Sequence, residues 1–282
     1  MKYTKHKYPD GGIYAEIEDF SNPIIIERIN NYEDLFFIKS LKDICDYNNI
    51  QNVELFIPCL FQQQHDRRFK DNQSFEGRLV AEFINSCNFT KVTVFHPHSD
   101  VIVGQINKCH IKDNSEYIEW VLRQISPLHG VFGDYNAANN LIMMSSDAGG
   151  FKPLIKLAEH IEWKGDTYSA SKSRDPKSHK LTQLIDRQDF GGKDILIIDD
   201  LCVGGGTFIG LAKMLRERNC GKLFLAVSHM TVPEINPSLM LEFDIVFTTN
   251  SKYNGYGYKY GIDTPYESQS VLDKKLKIYK LI

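Results

Sequence analysis

The sequence has no apolar run near the ~20 residues needed to cross a bilayer, which excludes a membrane-spanning helix and makes a membrane partner unexpected. Its basic, polar first residues, 1–10, are followed by no apolar core, so a secretory signal is not expected. It has no CxxC pair: Cys45, Cys59, Cys87, Cys109, Cys202 and Cys220 lie far apart. That spacing argues against a zinc site or a disulfide framework and for a reducing compartment, the cytoplasm. An excess of basic charge is also missing. Lys and Arg number 33 against 36 Asp and Glu, a net charge of −3, so nucleic acid is not an expected partner. No GxGxxG motif occurs, and no Lys follows the glycine run 204–206, which disfavours a dinucleotide fold and excludes a P-loop. There is no short-period repeat and no low-complexity segment.

What remains is an ordinary globular composition, 42% hydrophobic and 24% charged over 282 residues. That length allows one large domain or two of roughly 130 residues. Apolar, β-branched runs predict strands over 24–29, 53–58, 91–95, 141–145, 167–170, 194–198, 222–228 and 244–247. Amphipathic stretches predict helices over 33–47, 74–85, 116–124, 151–160 and 207–217. Alternation of this kind implies an α/β fold with parallel sheets flanked by helices. Ligands of such sheets bind beyond the carboxyl ends of the strands. The Gly-, Pro- and Asn-rich stretch 127–139 predicts a boundary between domains 1–130 and 131–282, and a return of the last strand to the first domain is left open. Segment 251–261, dense in Tyr and Gly, reads as a loop of no evident role.

The sharpest local signal is Asp194-Ile-Leu-Ile-Ile-Asp199-Asp200-Leu-Cys-Val-Gly204-Gly205-Gly206-Thr207. An apolar strand ends in two carboxylates, a glycine turn follows, and a helix is predicted from Thr207. Glycines let backbone N–H groups face an anion, the helix N-terminus adds partial positive charge, and Thr207 can offer a hydroxyl and a cap. Asp199 and Asp200 would repel a phosphate, so they suit the 2- and 3-hydroxyls of a ribose, or a magnesium ion shared with them. On these residues alone, a tight β–α turn with a solvated acidic pair fits as well.

This stretch resembles the signature of type I phosphoribosyl proteins, and further segments narrow the resemblance to the ribose-phosphate diphosphokinases, over nearly the whole chain. Lys7-Tyr8-Pro9-Asp10-Gly11-Gly12 resembles Phe-x-Asp-Gly-Glu. The resemblance gives Tyr8 the adenine-stacking place and Asp10 the place that accepts from the adenine amine, with Gly12 for the usual Glu. Ile57 to Arg68 resembles Pro-Tyr-x-x-Tyr-Ala-Arg-Gln-Asp-Arg. Arg67 falls on an ATP-phosphate arginine, while Gln64 replaces an arginine that covers adenine, with loss of cation–π support. Phe95-His96-Pro97-His98-Ser99 resembles Asp-Leu-His-Ser and gives His98 a part in holding the magnesium of Mg-ATP. Met144-Ser145-Ser146-Asp147-Ala148-Gly149-Gly150 resembles Ser-Pro-Asp-x-Gly-Gly, with Asp147 as co-ligand. Lys172-Ser173-Arg174 resembles a Lys-x-Arg flexible catalytic loop, and 175–180 lacks apolar periodicity, as a mobile segment would. Each segment also has a plainer reading: a short turn, a solvated basic turn, a structural histidine, an Asp-capped helix, a charged loop.

The resemblance implies two phosphoribosyltransferase-like (Rossmann-like) domains, the first for ATP and the second for a sugar phosphate. It implies magnesium as cofactor, a homo-oligomer, and transfer of diphosphate from ATP to the anomeric hydroxyl of a ribose-5-phosphoryl acceptor. Arg67, Lys172 and Arg174 then neutralise charge on the transferred group. Where the usual loop reads Asp-Thr-x-Gly-Thr, this one reads Val203-Gly204-Gly205-Gly206-Thr207. One hydroxyl donor is lost and the pocket wall is trimmed, which favours an acceptor continuing past its 5-phosphate. ADP-ribose is such a molecule. A phage-associated branch resembling this chain in its HPHS and GGGT variants and short N-terminus makes ADP-ribose diphosphate for NAD rebuilding, which would put the chain in a host cytoplasm. Ribose 5-phosphate is the alternative acceptor. A phosphoribosyltransferase would share the glycine loop but has no use for an adenine turn, and an inactive regulatory associate typically lacks the Lys-x-Arg loop. Replacing Lys172 with Ala is expected to cut turnover by about a hundredfold or more with the fold intact; an unchanged steady-state rate removes Lys172 from the mechanism.

Overall fold

The structure, a computed structural model, describes residues 1–129, 140–174, 181–184, 187–253, 259–260 and 274–282. The chain divides into two units, Met1–Asp113 with Ile282, and Asn114–Leu281.

The first unit opens with a hairpin of β1 (Lys2–Lys7) and β2 (Ile13–Asp19), paired antiparallel. Nothing in the sequence pattern announced it, because charged residues alternate with the few apolar ones. The alternation itself is the explanation: Tyr3, Ile13, Ala15 and Ile17 pack on the core, while Lys5 and Lys7 reach carboxylates of the first helix. Strands β3 (Ile24–Ile26), β4 (Glu54–Ile57), β5 (Lys91–Phe95) and β6 (Cys109–Lys112) form a parallel sheet in that order. Its connections are α1 (Tyr32–Tyr47), α2 (Glu76–Ser86) and a short α3 (Asp100–Val103). Asn31 caps α1 by accepting from the Asp34 N–H at 2.9 Å. Leu35, Ile38 and Leu41 of α1, with Val80, Ala81 and Ile84 of α2, cover Ile25, Leu55, Ile57, Val92 and Val94 of the sheet.

The second unit begins with α4 (Ser115–Ile125). That helix falls on the far side of the division from the boundary expected at 127–139, because Tyr117, Ile118, Val121 and Leu122 pack with Leu141, Met143 and Leu196. Residues 130–139 lie outside the described ones. Then come β7 (Leu141–Ser145), α5 (Phe151–His160), β8 (Thr167–Ser169), β9 (Ser171–Arg174), β10 (Leu181–Leu184) and β11 (Asp194–Cys202). They are followed by α6 (Gly206–Arg216), β12 (Leu223–Met230), β13 (Glu234–Ile235), α7 (Pro237–Glu242), β14 (Ile245–Thr249), β15 (Lys259–Tyr260) and β16 (Leu276–Tyr279). Six of these strands form one parallel sheet, ordered β8-β7-β11-β12-β14-β16. The last strand therefore stays in the second unit. Alternate residues feed two cores: Ile142, Ile195 and Ile197 face α6 and α7, while Leu141, Met143, Leu196 and Ile198 face α4 and α5. The chain moves outward from β7 to β8, then returns to the other side of β7 for β11. That reversal is a topological switch point, where open α/β sheets bind ligands.

Two differences from expectation fall on candidate site residues. Strand β11 runs on to Cys202 instead of ending before the acid pair, held by pairing with β12 as far as Met230. Segment Ser171–Arg174, expected as a loop, is a strand paired antiparallel with β10, Lys172 opposite Gln183 and Arg174 opposite Leu181. Residues 175–180 and 254–258 lie outside the described ones. Among the described residues no helix is long and apolar enough to cross a membrane. One packing constraint is sharp: a Cβ on Gly77 of α2 would lie 2.3 Å from Ile102 Cδ1 and 2.6 Å from the His65 carbonyl oxygen. Gly77→Ala is expected to destabilise by about 1–3 kcal/mol despite the higher helix propensity of Ala, seen as a lower melting temperature; a raised one contradicts the packing.

Candidate active site

Strands β7 and β11 are direct neighbours with Ser145 opposite Ile198. The next residues, Ser146 and Asp199, therefore lie side by side at the switch point, where β7 ends and β11 runs on along β12. The Ser146 hydroxyl donates to Asp199 Oδ2, and the Asp200 N–H donates to Asp199 Oδ1 at 2.8 Å. Burial and the neighbouring Asp200 carboxylate push the Asp199 carboxyl up to about 7, while the two hydrogen bonds pull the other way.

Beyond Ser146 the chain turns tightly through Asp147-Ala-Gly-Gly150. Asp147 Oδ1 accepts from the Gly150 N–H at 3.0 Å, and its carbonyl oxygen accepts from the Ser145 hydroxyl at 2.8 Å and the Ser169 hydroxyl at 3.2 Å. Helix α5 starts directly after. Beyond Asp200 the glycine turn leads into α6, which begins at Gly206, with Gly205 in the cap position at φ +75°. Thr207 thus sits inside the first turn instead of capping it. Gly205 needs its positive φ, and Leu239 of α7 fills the space beside it at 3.3 Å from a built Cβ. The turn is tied from outside by Asn236 Nδ2 to the Gly204 carbonyl oxygen at 3.4 Å and by the Thr231 hydroxyl to that of Cys202 at 3.2 Å. Among the described residues, a Cβ on Gly204 or Gly206 would meet nothing within 4 Å. Two helix N-termini thus follow the two strands that flank the switch point, each behind a glycine turn and each an anion-favouring place.

The first unit carries the residues expected for ATP. The hairpin tip closes with Tyr8 N–H donating to the Gly12 carbonyl oxygen at 2.7 Å, and Gly12 N–H donating to Asp10 Oδ1 at 3.0 Å. The Tyr8 ring is exposed, backed by Tyr14 at 5.1 Å between centroids. At the carboxyl ends of β4 and β5, two loops are stapled together. Gln63 Oε1 accepts from the His98 N–H at 2.8 Å, and the Ser99 hydroxyl donates to Asp66 Oδ2 at 3.1 Å. Gln64 and His98 are exposed on these loops, and the Arg67 guanidinium lies out in solvent over the Phe69 ring at 5.4 Å. His96, between them, has φ +36°, uncommon for a residue other than glycine. The sequence reading missed Gln63, Ser146 and Ser169. A glutamine between strand end and arginine, or serines flanking an Asp turn, carry no pattern until the strands are paired. Among the described residues no three His, Cys, Asp or Glu side chains converge as a metal site would.

No protein-family model matches the chain. Individual relatives do. It is 23% identical over 228 residues to "Ribose-phosphate pyrophosphokinase 2" of Archaeoglobus fulgidus, covering 81% of this chain and 75% of that one. It is 23% identical over 265 residues to the ribose-phosphate pyrophosphokinase of Chlorobaculum tepidum, covering 91% and 78%. The chain is thus similar to ribose-phosphate pyrophosphokinases over most of its length. The solved phosphoribosylpyrophosphate synthetase of Mycobacterium smegmatis shares its fold, with a TM-score of 0.73 at 14% identity, over 99% of this chain and 86% of that one. The two-domain α/β class expected from the sequence therefore holds. In the acid pair, Asp199 has a hydrogen-bond partner on each carboxyl oxygen.

The raised Asp199 has a consequence for stability. Its carboxyl moves from the ordinary 3.8 to about 7, so the folded chain keeps a proton that the unfolded chain releases in that window. Stability is lost as pH rises from about 4 to 7, and the loss is complete above 7. Asp199→Asn is expected to melt with the wild type near pH 4 and several degrees above it at pH 8, without ligands; a gap that fails to widen with pH rejects the shift.

Proposed function

We propose that this chain transfers the β,γ-diphosphate of ATP to the anomeric hydroxyl of a ribose-5-phosphoryl acceptor and releases AMP. The observation that carries the reading is the join across the switch point, where Ser146 links the Asp147 turn to Asp199, Asp200 and the glycine turn. A pentose phosphate asks for this set: carboxylates that accept from a vicinal diol, beside backbone N–H groups and a helix start that receive a phosphate. The second glycine turn and helix start, after Asp147, suit the diphosphate.

In the reaction the sugar O1 attacks the β-phosphorus. The bond from that phosphorus to the bridging oxygen of the α-phosphate breaks, and the hydroxyl proton leaves to solvent. Little covalent work falls to the protein, so positioning and charge neutralisation carry catalysis. Arg67, Lys172 and Arg174 are assigned to that charge. Tyr8, Asp10 and Gln64 are assigned to the adenine end, and Asp199, Asp200, Gly204, Gly205, Gly206 and Thr207 to the sugar phosphate. Magnesium fits this donor set, because it keeps several waters and needs only one or two carboxylates beside substrate phosphates. Asp147 would supply the carboxylate; the exposed His98 is the softer partner that the resemblance adds. When bound, the ion lowers the repulsion between the phosphates. The same resemblance supports self-association.

The name of the relatives supports ribose 5-phosphate as the acceptor. A second reading, ADP-ribose, rests on the bareness of the glycine turn: among the described residues, nothing lies within 4 Å of a Cβ on Gly204 or Gly206. Val203 beside them is also exposed. An acceptor whose 5-phosphate continues into a second group meets no wall there, and the same branch would serve NAD rebuilding. Mass spectrometry of products from ATP, magnesium and each sugar decides. AMP with ribose 5-phosphate carrying an added diphosphate is expected. AMP with ADP-ribose alone moves the acceptor to the second reading, and AMP with neither sinks the diphosphotransferase assignment.

A further inference from the structure

Ser146 is 1% exposed, so its side chain does not meet solvent or a ligand directly. Its hydroxyl is spent on Asp199 Oδ2, while the Asp200 N–H holds Oδ1. The acid is therefore gripped on one oxygen by a hydroxyl from the turn after β7 and on the other by a backbone N–H of β11 itself. The loop on the Ser146 side is itself fixed. Asp147 takes the Gly150 N–H on its carboxylate and the Ser145 and Ser169 hydroxyls on its carbonyl oxygen. Whatever orients Asp199 through Ser146 is thus referred to the Asp147 turn. The pattern Ser-Pro-Asp-x-Gly-Gly, which this turn resembles, has at this place a residue with no hydroxyl, so the tie is not part of that pattern. A buried carboxylate beside a second one has few ways to stay in place, and a donor fixed in the neighbouring loop is one of the strongest.

The geometry points to Ser146 as a positioning residue for the acceptor sugar: it sets the Asp199 carboxylate against the Asp147 turn and so fixes where the sugar hydroxyls sit relative to the diphosphate. This role exists only if a ribose-5-phosphoryl acceptor binds at the acid pair, as proposed above. It predicts a split between the two substrates. Losing the hydroxyl frees Asp199 to turn, which weakens the sugar and leaves the nucleotide alone.

Steady-state kinetics of Ser146→Ala, with ATP saturating and the acceptor varied and then the reverse, tests the split. The acceptor is whichever of ribose 5-phosphate and ADP-ribose the wild type turns over. KM for the acceptor is expected to rise about tenfold or more, with KM for ATP and kcat within about twofold of wild type. Titration calorimetry of the acceptor alone should show the same weakening, without chemistry. Equal rises in both KM values overturn the positioning role, because they describe a loop loosened as a whole. An unchanged KM and calorimetric affinity for the acceptor overturn it while leaving the sugar site standing. A wild type that binds neither sugar sinks the sugar site, and the role of Ser146 with it.

Discussion

Parallel pairing of β7 with β11 is the constraint from which the rest follows. Parallel neighbours cannot be joined by a tight turn, so each strand must be followed by a crossover that returns to the start of the sheet. All strand carboxyl ends therefore collect at one edge, and all following helices begin there. Because the chain goes outward to β8 before coming back for β11, the connections after β7 and β11 diverge. A crevice is left between them by topology alone. The residues that occupy its two lips, Ser146-Asp147 and Asp199-Asp200, are adjacent because Ser145 pairs with Ile198.

That arrangement contains an internal conflict. Helix starts and glycine turns favour anions, yet the lip of β11 carries two carboxylates that repel each other and any phosphate. The structure settles part of the conflict by holding Asp199 between the Ser146 hydroxyl and the Asp200 N–H and letting its affinity for a proton rise. It leaves the glycine turn without side chains, so the phosphate-favouring N–H groups are not shielded by the acids' own neighbours. Under the proposed function, the hydroxyls of a sugar would meet the acids and its phosphate the turn.

Local signals made the helices and the central strands legible. The amphipathic run 151–160 is α5 to the residue, and the apolar run 141–145 is β7. Non-local pairing hid the rest. Eight of the thirteen strand residues of the β1–β2 hairpin are polar or charged, and pairs across the hairpin and to α1 explain them. The acid pair looked like a strand end because charge normally leaves a buried sheet, but ladder pairing with β12 carries β11 four residues past the expected end at 198. Helix α4 gave its own position faithfully and its allegiance not at all, since amphipathicity marks a face without naming its partner. At the site, Asp147, Asp199, Asp200 and the glycines stood out by type and order. Ser146 and Gln63 did not, because a small hydroxyl or amide becomes informative only when its partner strand is known.

The edge strand β16 has an implication for how the protein is made. Strand β14 is almost wholly buried, and its outer ladder is completed only by Leu276–Tyr279. On the ribosome the first unit can close as soon as residue 113 has emerged, since its sheet uses only earlier strands. The second cannot complete its sheet until residue 279 has been translated, and meanwhile the backbone of Val246 to Thr249 lacks its β16 partners. Chaperone demand should thus concentrate late in synthesis, on one half of the chain.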